Sequence, residues 1–228
     1  MNKRKVILYV SLYKVELVFR HKEIEYCLKK NLENKYFDQI VILNEGFVST
    51  LLDDKKLKII KTNSRPTFQD IFNNLESECI NVIANNDIWF DCDFEKLKYL
   101  LLSKNDFLCL TRRESDGNLL RPEKGDTQDV WIMIGRPRLD LLVDFYLGIP
   151  GCDNRLAFVM FTNGYRVLNP SRFIIVHHCH NIYTRTSSII DRVASPYFLS
   201  RPIGLFEFYL YRLFLYLLMK NRILHIRP

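Results

Sequence analysis

The sequence predicts an α/β domain in which helices flank a mixed, mostly parallel sheet. Short runs rich in Val, Ile and aromatic residues alternate with segments of helical apolar spacing, and several of these runs end in polar side chains. Strands that alternate with helices favour parallel pairing. Because ligands bind beyond the carboxyl ends of strands in such sheets, the residues that directly follow a strand are the first candidates for a functional site.

The first half of the chain contains a β-α-β unit and three further strands. β-branched and aromatic runs predict strands at 5–13 and 37–43, and the apolar spacing between them predicts a helix at 20–34. Thr67 follows Arg65-Pro66 and opens a periodic segment that is typical of a capped helix. The other elements predicted in this half are strands at 57–61, 80–84 and 106–110, a helix over 67–78 and a helix at 94–102.

The second half begins with a polar, turn-rich segment at 112–128, which predicts a loop or a hairpin arm. The run VWIMIG then resumes as a strand. Helices are expected at 138–146 and 155–163, separated by the turn GIPGCDN, and two short strands are expected within 164–180. At 228 residues the chain is long enough to bury a substantial core as a single domain.

Composition excludes little about function. The net charge of +7 suits nucleic acids, phosphorylated small molecules and anionic membranes alike. Basic residues are spread along the chain and no nucleic-acid motif appears. The six cysteines lack a CxxC pair, which indicates reduced, mostly buried thiols in a cytoplasmic protein. The amino terminus has too short an apolar run and no cleavage site for a signal peptide, so we expect a strand there.

Asn85-Asn86-Asp87 follows the predicted strand at 80–84 directly. An aspartate in this position can bind a hard divalent cation, which prefers oxygen ligands and shares them with substrate phosphates. The alternative is an Asx-type turn in which Asp87 caps the next segment. The motif alone leaves both readings open.

A second polar stretch lies at 148–180. Asp153 stands where a glycine turn enters a helix, so it is either a helix cap or part of a site. His177, His178 and His180 follow within a strand-like run, and in a strand His178 and His180 share one face. Two histidines on one face beside a carboxylate favour a metal site, whereas a zinc site made by this run alone is disfavoured because adjacent residues face opposite ways.

The order of these motifs resembles a small glycosyltransferase of the GT-A fold, similar to family 2 enzymes. The resemblance spans residues 5–185 and rests on NND at a strand end, GCDNRLA at a helix start, GYRV, NPS and the VHHCH ending. Such enzymes have a DxD-type metal motif, a later acidic motif that holds the catalytic base, and often a late histidine near the metal. The resemblance implies a nucleotide-sugar donor, a glycan or lipid-linked acceptor, and Mn²⁺ or Mg²⁺ as cofactor.

The resemblance also implies roles for particular residues. Asp87 matches the metal-binding acid of the DxD motif, and Asn85 replaces the first acid. Asp153 matches the catalytic base, although Cys152 stands where a glutamate is usual. His180, or failing that His178, completes the metal shell. If Asp153 takes the acceptor's proton and does not itself attack the sugar, a single displacement with inversion follows. The helix dipole is expected to keep Asp153 ionised at neutral pH.

Further donor and acceptor residues are expected around this centre. Arg65 either contacts a phosphate through its guanidinium or is a solvated loop residue. Trp131 either contacts the acceptor or packs in the core. The complete donor set is Leu12, Tyr13, Asn44, Glu45, Arg65, Asn85, Asn86 and Asp87, and the acceptor set is Asp129 and Trp131.

We expect a catalytic domain at 1–200 and a hydrophobic, basic helix at 201–228. Only Glu207 and Arg212 interrupt its apolar stretch through Met219, and no polar face emerges at a helical period. The segment is short for a membrane span. The favoured interpretation is a peripheral membrane helix on the cytoplasmic face, and the alternative is a helix packed on the domain or a partner.

Rival functions for the chain are a nucleic-acid-binding protein or nuclease, and a non-catalytic scaffold of the same fold.

Overall fold

The computed structural model describes residues 4–179 and 192–220. Its strands are β1 (Val6–Tyr13), β2 (Gln39–Glu45), β3 (Leu57–Lys61), β4 (Ile80–Ala84), β5 (Ile88–Trp89), β6 (Asp106–Leu110), β7 (Val130–Ile134), β8 (Arg166–Leu168) and β9 (His177–His178). Its α-helices are α1 (Val18–Glu33), α2 (Phe68–Asn73), α3 (Cys152–Thr162) and α4 (Leu205–Lys220). Two 3-10 helices lie at Thr50–Asp53 and Cys92–Leu100.

Seven strands form one sheet in the order β3-β2-β1-β4-β7-β6-β8, and β5 pairs with β9 in a separate two-stranded ribbon. β7 alone runs antiparallel to its neighbours β4 and β6 in this sheet. The predicted α/β architecture with a mixed, mostly parallel sheet is therefore confirmed. The first residue of β7 lies at the same sheet edge as the last residues of β4 and β6, so residues before β7 join the candidate site.

The core lies on both faces of the sheet. Alternate residues of β1 point to opposite faces, with Leu8 and Val10 in one cluster and Ile7 and Tyr9 in the other. The first cluster packs against α1, α4 and the 3-10 helix at Cys92–Leu100, and the second packs against α2 and α3. Each fully buried large side chain contributes about 1.5–3 kcal/mol, so burial on both faces stabilises the sheet that carries the site.

Several predicted helices differ from the structure. The segment 138–146 is not helical, because its backbone carbonyls at Val143 and Phe145 accept hydrogen bonds from the first N–H groups of α2. The helix expected at 94–102 is a 3-10 helix that begins at Cys92. α2 has the expected Thr67 cap, closed by Asp70 in a capping box, but it ends at Asn73. α3 begins three residues before the predicted start, which places Asp153 inside its first turn.

Candidate active site

The candidate site lies at the edge of the sheet where β1, β4 and β6 end and β7 begins. Asn85-Asn86-Asp87 follow β4, Arg112 and Glu114 follow β6, and Asp129 directly precedes β7. The backbone joins these segments, since Asn85 N–H donates to the Asp129 carbonyl (3.1 Å). Asp129 N–H in turn donates to the Leu110 carbonyl (2.9 Å). Chain segments far apart in sequence therefore present their polar side chains at one place.

Asp87 is held by an arginine that the sequence analysis did not single out. Arg20 of α1 donates to Asp87 Oδ2 and to Asn86 Oδ1, both at 2.9 Å. Burial opposes ionisation of Asp87, but the hydrogen bond from His178 and the charge of Arg20 outweigh it and hold the pKa of Asp87 well below its usual range. Asp87 Oδ1 is buried and has no hydrogen-bond partner among the described residues. This oxygen is available to a ligand.

The ribbon of β5 and β9 brings His178 to Asp87. Ile88 pairs with His178 in register, and His178 Nε2 lies 3.5 Å from Asp87 Oδ2. Burial lowers the pKa of His178, but its hydrogen bond to Asp87 and the charge of that carboxylate raise it further, so the net shift is upward. His178 Nδ1 lies 3.2 Å from Glu114 Oε2. His180, the first choice for the metal shell, lies outside the described residues.

His177 occupies the opposite side of the ribbon from His178. Its ring stacks on Trp89 with centroids 4.1 Å apart, and its Nε2 lies 2.8 Å from Asp91 Oδ2. The alternation of side chains along a strand therefore separates the two neighbouring histidines, as predicted for this run. Of the histidines in the described part, His178 is the one that reaches Asp87.

Asn85 contacts Asp129. Its Nδ2 donates to Asp129 Oδ1 at 2.8 Å, and Arg112 donates to the same oxygen at 2.9 Å. An aspartate at position 85 has no N–H to donate and would repel Asp129, so the amide suits this arrangement. Arg112 also pairs with Glu114 at 2.8 Å. Asp129 Oδ2 is a second buried carboxylate oxygen without a partner among the described residues.

Asp153 lies in the first turn of α3 beside the segment that carries Asp129. Its Oδ1 accepts from its neighbour Asn154 N–H (2.9 Å), and its Oδ2 accepts from Gln128 N–H (3.2 Å). Burial nevertheless raises the pKa of Asp153 to about 6, and the negative charge of Asp129 acts in the same direction. The expectation that the helix dipole controls this group is corrected: removal from water outweighs the dipole. The ionised form still predominates at neutral pH.

The expected donor residues separate into two groups. Arg65 donates to the Leu147 carbonyl. The next residue, Gly148, lies close to both Arg65 and Asn85: a Cβ placed on it would be 3.3 Å from the Arg65 guanidinium and 3.9 Å from Asn85 Oδ1. Arg65 therefore lies at the rim of the site. Tyr13 hydrogen-bonds Arg20. Asn44, by contrast, closes a turn through two hydrogen bonds with the Phe47 backbone, and Glu45 is half-buried at the end of β2.

Two expected contacts are corrected by burial. The Leu12 side chain is 1% exposed and belongs to the core, so it offers no surface to the donor. Trp131 is also 1% exposed and packs edge-on against Phe68 with centroids 5.1 Å apart. Trp131 therefore packs in the core, which was the alternative to acceptor binding. Of the two acceptor candidates, only Asp129 lies at the site.

The donor atoms fit a divalent cation that shares its shell with a substrate. The described residues contain no group of three or more His, Cys, Asp or Glu side chains arranged to hold a metal. A hard cation commonly takes only one or two protein ligands and completes its shell with phosphates and water. Asp87 Oδ1, which is buried and unpartnered, offers one such ligand. His178 offers a second through Nε2 only once the proton that it donates to Asp87 is lost, because a protonated imidazole nitrogen cannot bind a metal.

Comparisons with known proteins identify the fold. No protein-family model matches the chain, and no curated protein sequence matches it significantly. The solved structure of mannosyltransferase PcManGT from Pyrobaculum calidifontis, in complex with GDP-Man and Mn²⁺, matches 74% of this chain and 55% of its own at 16% identity, with a TM-score of 0.52. This chain thus spans about half the length of that enzyme. The likeness shows a GT-A fold.

Other solved structures match a smaller part of the chain. TarS 1-349 from S. aureus, in complex with UDP-GlcNAc, matches 51% of this chain and 36% of its own at 14% identity, with a TM-score of 0.39. A 4-diphosphocytidyl-2C-methyl-D-erythritol synthase from Anaerococcus prevotii matches 51% of this chain and 62% of its own at 10% identity, with a TM-score of 0.38.

Proposed function

We propose that the protein is a metal-dependent glycosyltransferase that moves a sugar from a nucleotide-diphosphate donor to a glycan or lipid-linked acceptor in the cytoplasm. The observation that carries the proposal is the convergence of Asp87, His178, Asp129 and Asp153 at the carboxyl edge of the sheet. Two buried carboxylate oxygens in this group lack partners among the described residues. Each unpaired buried oxygen costs about 1–3 kcal/mol or more, and a bound cation or substrate hydroxyl would offset that cost.

Asp87, through Oδ1, and His178, through Nε2, are the proposed protein ligands of Mn²⁺ or Mg²⁺, and the cation would take the place of the proton that His178 donates to Asp87. A bound divalent cation supplies positive charge that stabilises the negative charge growing on the leaving diphosphate. Arg20 keeps the Asp87 carboxylate ionised and holds its Oδ2, which leaves Oδ1 for the ligand. Arg65, at the rim near Asn85, is the proposed second contact to a phosphate.

Asp153 is the proposed general base. A base is most effective when its pKa lies near the working pH, because it is then both ionised and strongly basic. The pKa of about 6 meets this condition better than that of an ordinary exposed aspartate. The carboxylate takes the proton from the acceptor hydroxyl as that oxygen attacks the anomeric carbon, and the diphosphate leaves from the opposite face. One displacement of this kind inverts the anomeric configuration.

Other residues have proposed binding roles at this edge. Tyr13, Asn44, Glu45, Asn86 and the Leu12 backbone line the carboxyl ends of β1, β2 and β4, where we place the nucleotide. Asp129, with one unpaired oxygen, is the proposed acceptor contact. A cytoplasmic location agrees with the six cysteines, all of which are free thiols.

The proposal is tested by donor binding. Thermal shift with Mn²⁺ and a panel of UDP-, GDP- and CMP-linked sugars should show stabilisation by at least one donor only when the metal is present. Asp87→Asn should abolish this stabilisation, whereas Asp53→Asn, an exposed acid on the first 3-10 helix, should leave it unchanged. Slow hydrolysis of the same donor should follow the same pattern.

Two outcomes contradict the proposal. Indifference to every donor would favour a scaffold, and metal-dependent cleavage of DNA or RNA that requires Asp87 would favour a nuclease. A product that retains the configuration of the donor would contradict the single displacement while leaving the transferase reading intact.

A further inference from the structure

Helix α4 exposes a continuous apolar face. Of the seventeen large hydrophobic side chains that are exposed in the described part of the chain, eight lie on this one helix. Five of them, spaced three or four positions apart with one adjacent pair, form what we call the α4 stripe: Phe206, Leu210, Leu213, Phe214 and Leu217. Phe206 is 81% exposed and the other four are 47–56% exposed. A contiguous apolar surface of this kind marks an interaction site.

The opposite face of α4 is docked on the domain, and this contact fixes which residues face outward. Phe208 is fully buried in the core, and the Arg212 guanidinium lies 3.1 Å from the buried carboxylate of Asp106 at the start of β6. Tyr209 donates its hydroxyl proton to the Tyr99 carbonyl. The helix therefore cannot turn its stripe inward without breaking a buried ion pair.

The surroundings of the stripe suit the interface of a lipid bilayer. Tyr209 and Tyr216 flank it on one side and Tyr211 on the other, and all three are 38–48% exposed. Tyrosine is enriched at the level of the lipid headgroups, because its ring is apolar and its hydroxyl is polar. Leu101, 71% exposed, extends the apolar surface next to α4, since Arg212 contacts the carbonyl of the preceding residue, Leu100.

The charge around the stripe favours an anionic partner. Residues 201–228 contain five Lys or Arg residues and one acid, Glu207. Glu207 accepts a hydrogen bond from Gly204 N–H (2.7 Å) at the helix start. The exposed Lys220 ends α4, and the exposed Arg201 precedes it. Basic residues near a membrane surface each contribute about 1 kcal/mol of attraction to anionic lipid.

We propose that the α4 stripe lies in the headgroup region of an anionic bilayer and holds the protein at the membrane surface. The proposed contact is peripheral. Among the described residues, no helix is long and apolar enough to cross a bilayer. A second copy of the chain is disfavoured as the partner of the stripe. The stripe is bordered by tyrosines, whereas complementary charges would be needed to select a helix partner. The proposal does not depend on the enzymatic reading.

Vesicle co-sedimentation of the full chain tests the proposal. Wild-type protein should partition onto vesicles of phosphatidylcholine containing phosphatidylglycerol, and the partition coefficient should fall when salt is raised. Leu213→Glu/Leu217→Glu should lower it by about tenfold or more, because both side chains would bring charge into the apolar region. The matched control is Val48→Glu/Leu142→Glu, which places the same two charges at positions 78% and 77% exposed elsewhere, and it should bind as wild type does.

All four positions are exposed, so circular dichroism and thermal melting should show that both double variants remain folded. Equal loss of binding in the two double variants would overturn the proposal, because charge alone would then explain it. Equal partition onto vesicles of pure phosphatidylcholine would overturn the proposed preference for anionic lipid. A concentration-dependent dimer that only Leu213→Glu/Leu217→Glu dissociates, with no vesicle binding, would assign the stripe to a second copy instead. The assay contains no nucleotide sugar, so its failure is independent of a failure to bind donor.

Discussion

Asp153 combines two properties that act against each other. Its carboxylate accepts two backbone N–H groups at the start of α3, yet burial raises its pKa to about 6. Relative to an unfolded aspartate near 3.9, the folded state binds a proton more tightly. The folded protein therefore loses stability as pH rises from about 4 to about 6, since the charged form is the one that burial disfavours.

Asp153→Asn should separate activity from stability. Above pH 6 the variant avoids the cost of a buried charge, so we expect its free energy of unfolding to rise by about 1–3 kcal/mol relative to wild type. Its turnover should fall by about 10²- to 10⁴-fold, because the base is lost. The wild-type rate should decrease as pH falls through about 6. A variant with normal turnover and a flat pH profile would show that Asp153 is a cap only.

Arg20 lowers the pKa of its partner Asp87, whereas burial raises the pKa of Asp153. Asp87 is held ionised by Arg20 and His178, so its contribution to stability is present above the unfolded pKa and is lost as pH falls below it. Arg20→Gln leaves this carboxylate largely buried without its arginine, and we expect a loss of about 3–5 kcal/mol at neutral pH in urea unfolding.

Two comparisons check the Arg20 prediction. The loss should shrink in acid, where Asp87 is protonated in the variant, and adding Asp87→Asn should recover part of it. Lys104→Gln, which breaks an exposed pair with Glu78, should change stability by less than about 1 kcal/mol. A loss that does not vary with pH would show that Arg20 acts through packing.

Site residues were predictable from the sequence where they directly follow a strand. Asp87 and Asn85 were identified because they follow an apolar run, and the same argument applies to Arg112 and Glu114 after β6, which were missed. Arg20 carried no such signal, because a cation on a helix is usually a solvated residue. Its role depends on α1 packing beside the end of β4, and this is a property of the fold.

At the scale of elements, α1 holds the ribbon that carries the site. Asn31 of α1 is 2% exposed, and its side chain both donates to the Ile88 carbonyl (3.0 Å) and accepts from Phe90 N–H (3.1 Å). Among the described residues, β5 pairs with β9 alone and over two residues only. The amide of Asn31 thus replaces a neighbouring strand for β5.

Asn31→Ala should loosen this ribbon. It leaves a buried N–H and a buried carbonyl unpaired, so we expect a loss of about 2–4 kcal/mol in the free energy of unfolding. Metal and donor binding should weaken as well, because Asp87 and His178 adjoin the freed segment. Asn73→Ala, an exposed asparagine in the last turn of α2, is the control and should change neither measurement. Unaltered binding in a destabilised Asn31→Ala protein would separate the ribbon from the site.

Element prediction failed where long-range contacts decide the structure. β7 is buried along its whole length, so its apolar run shows a core strand but contains no information on direction. The segment 138–146 has helix-like apolar spacing, but its carbonyls complete the start of α2 instead. Local caps were predictable, as Thr67 shows, because the capping residues lie within one turn of the helix they begin.

At the scale of the whole molecule, α4 both completes the core and carries the exposed stripe. Ile203 N–H donates to the Asn169 carbonyl (2.8 Å), and the Asn169 side chain donates to the Ser200 carbonyl (2.7 Å), so the chain is tied to the domain before α4 begins. Periodicity did not reveal this dual role, because both faces of the helix are apolar. The boundary expected at residue 200 remains a prediction, and the shared core argues that α4 folds together with the sheet.

Two phenylalanines of α4 provide a matched test of that argument. Phe208 is fully buried against the sheet, and Phe206, two positions earlier, is 81% exposed. Phe208→Ala should lower the free energy of unfolding by about 3–5 kcal/mol, because it removes buried apolar area and leaves a cavity under the helix. Phe206→Ala should change it by less than about 0.5 kcal/mol. If both variants unfold in urea as wild type does, α4 is an appendage of a domain that ends before it; if only Phe208→Ala is weakened, the helix that presents the stripe is part of the cooperative unit that carries the site.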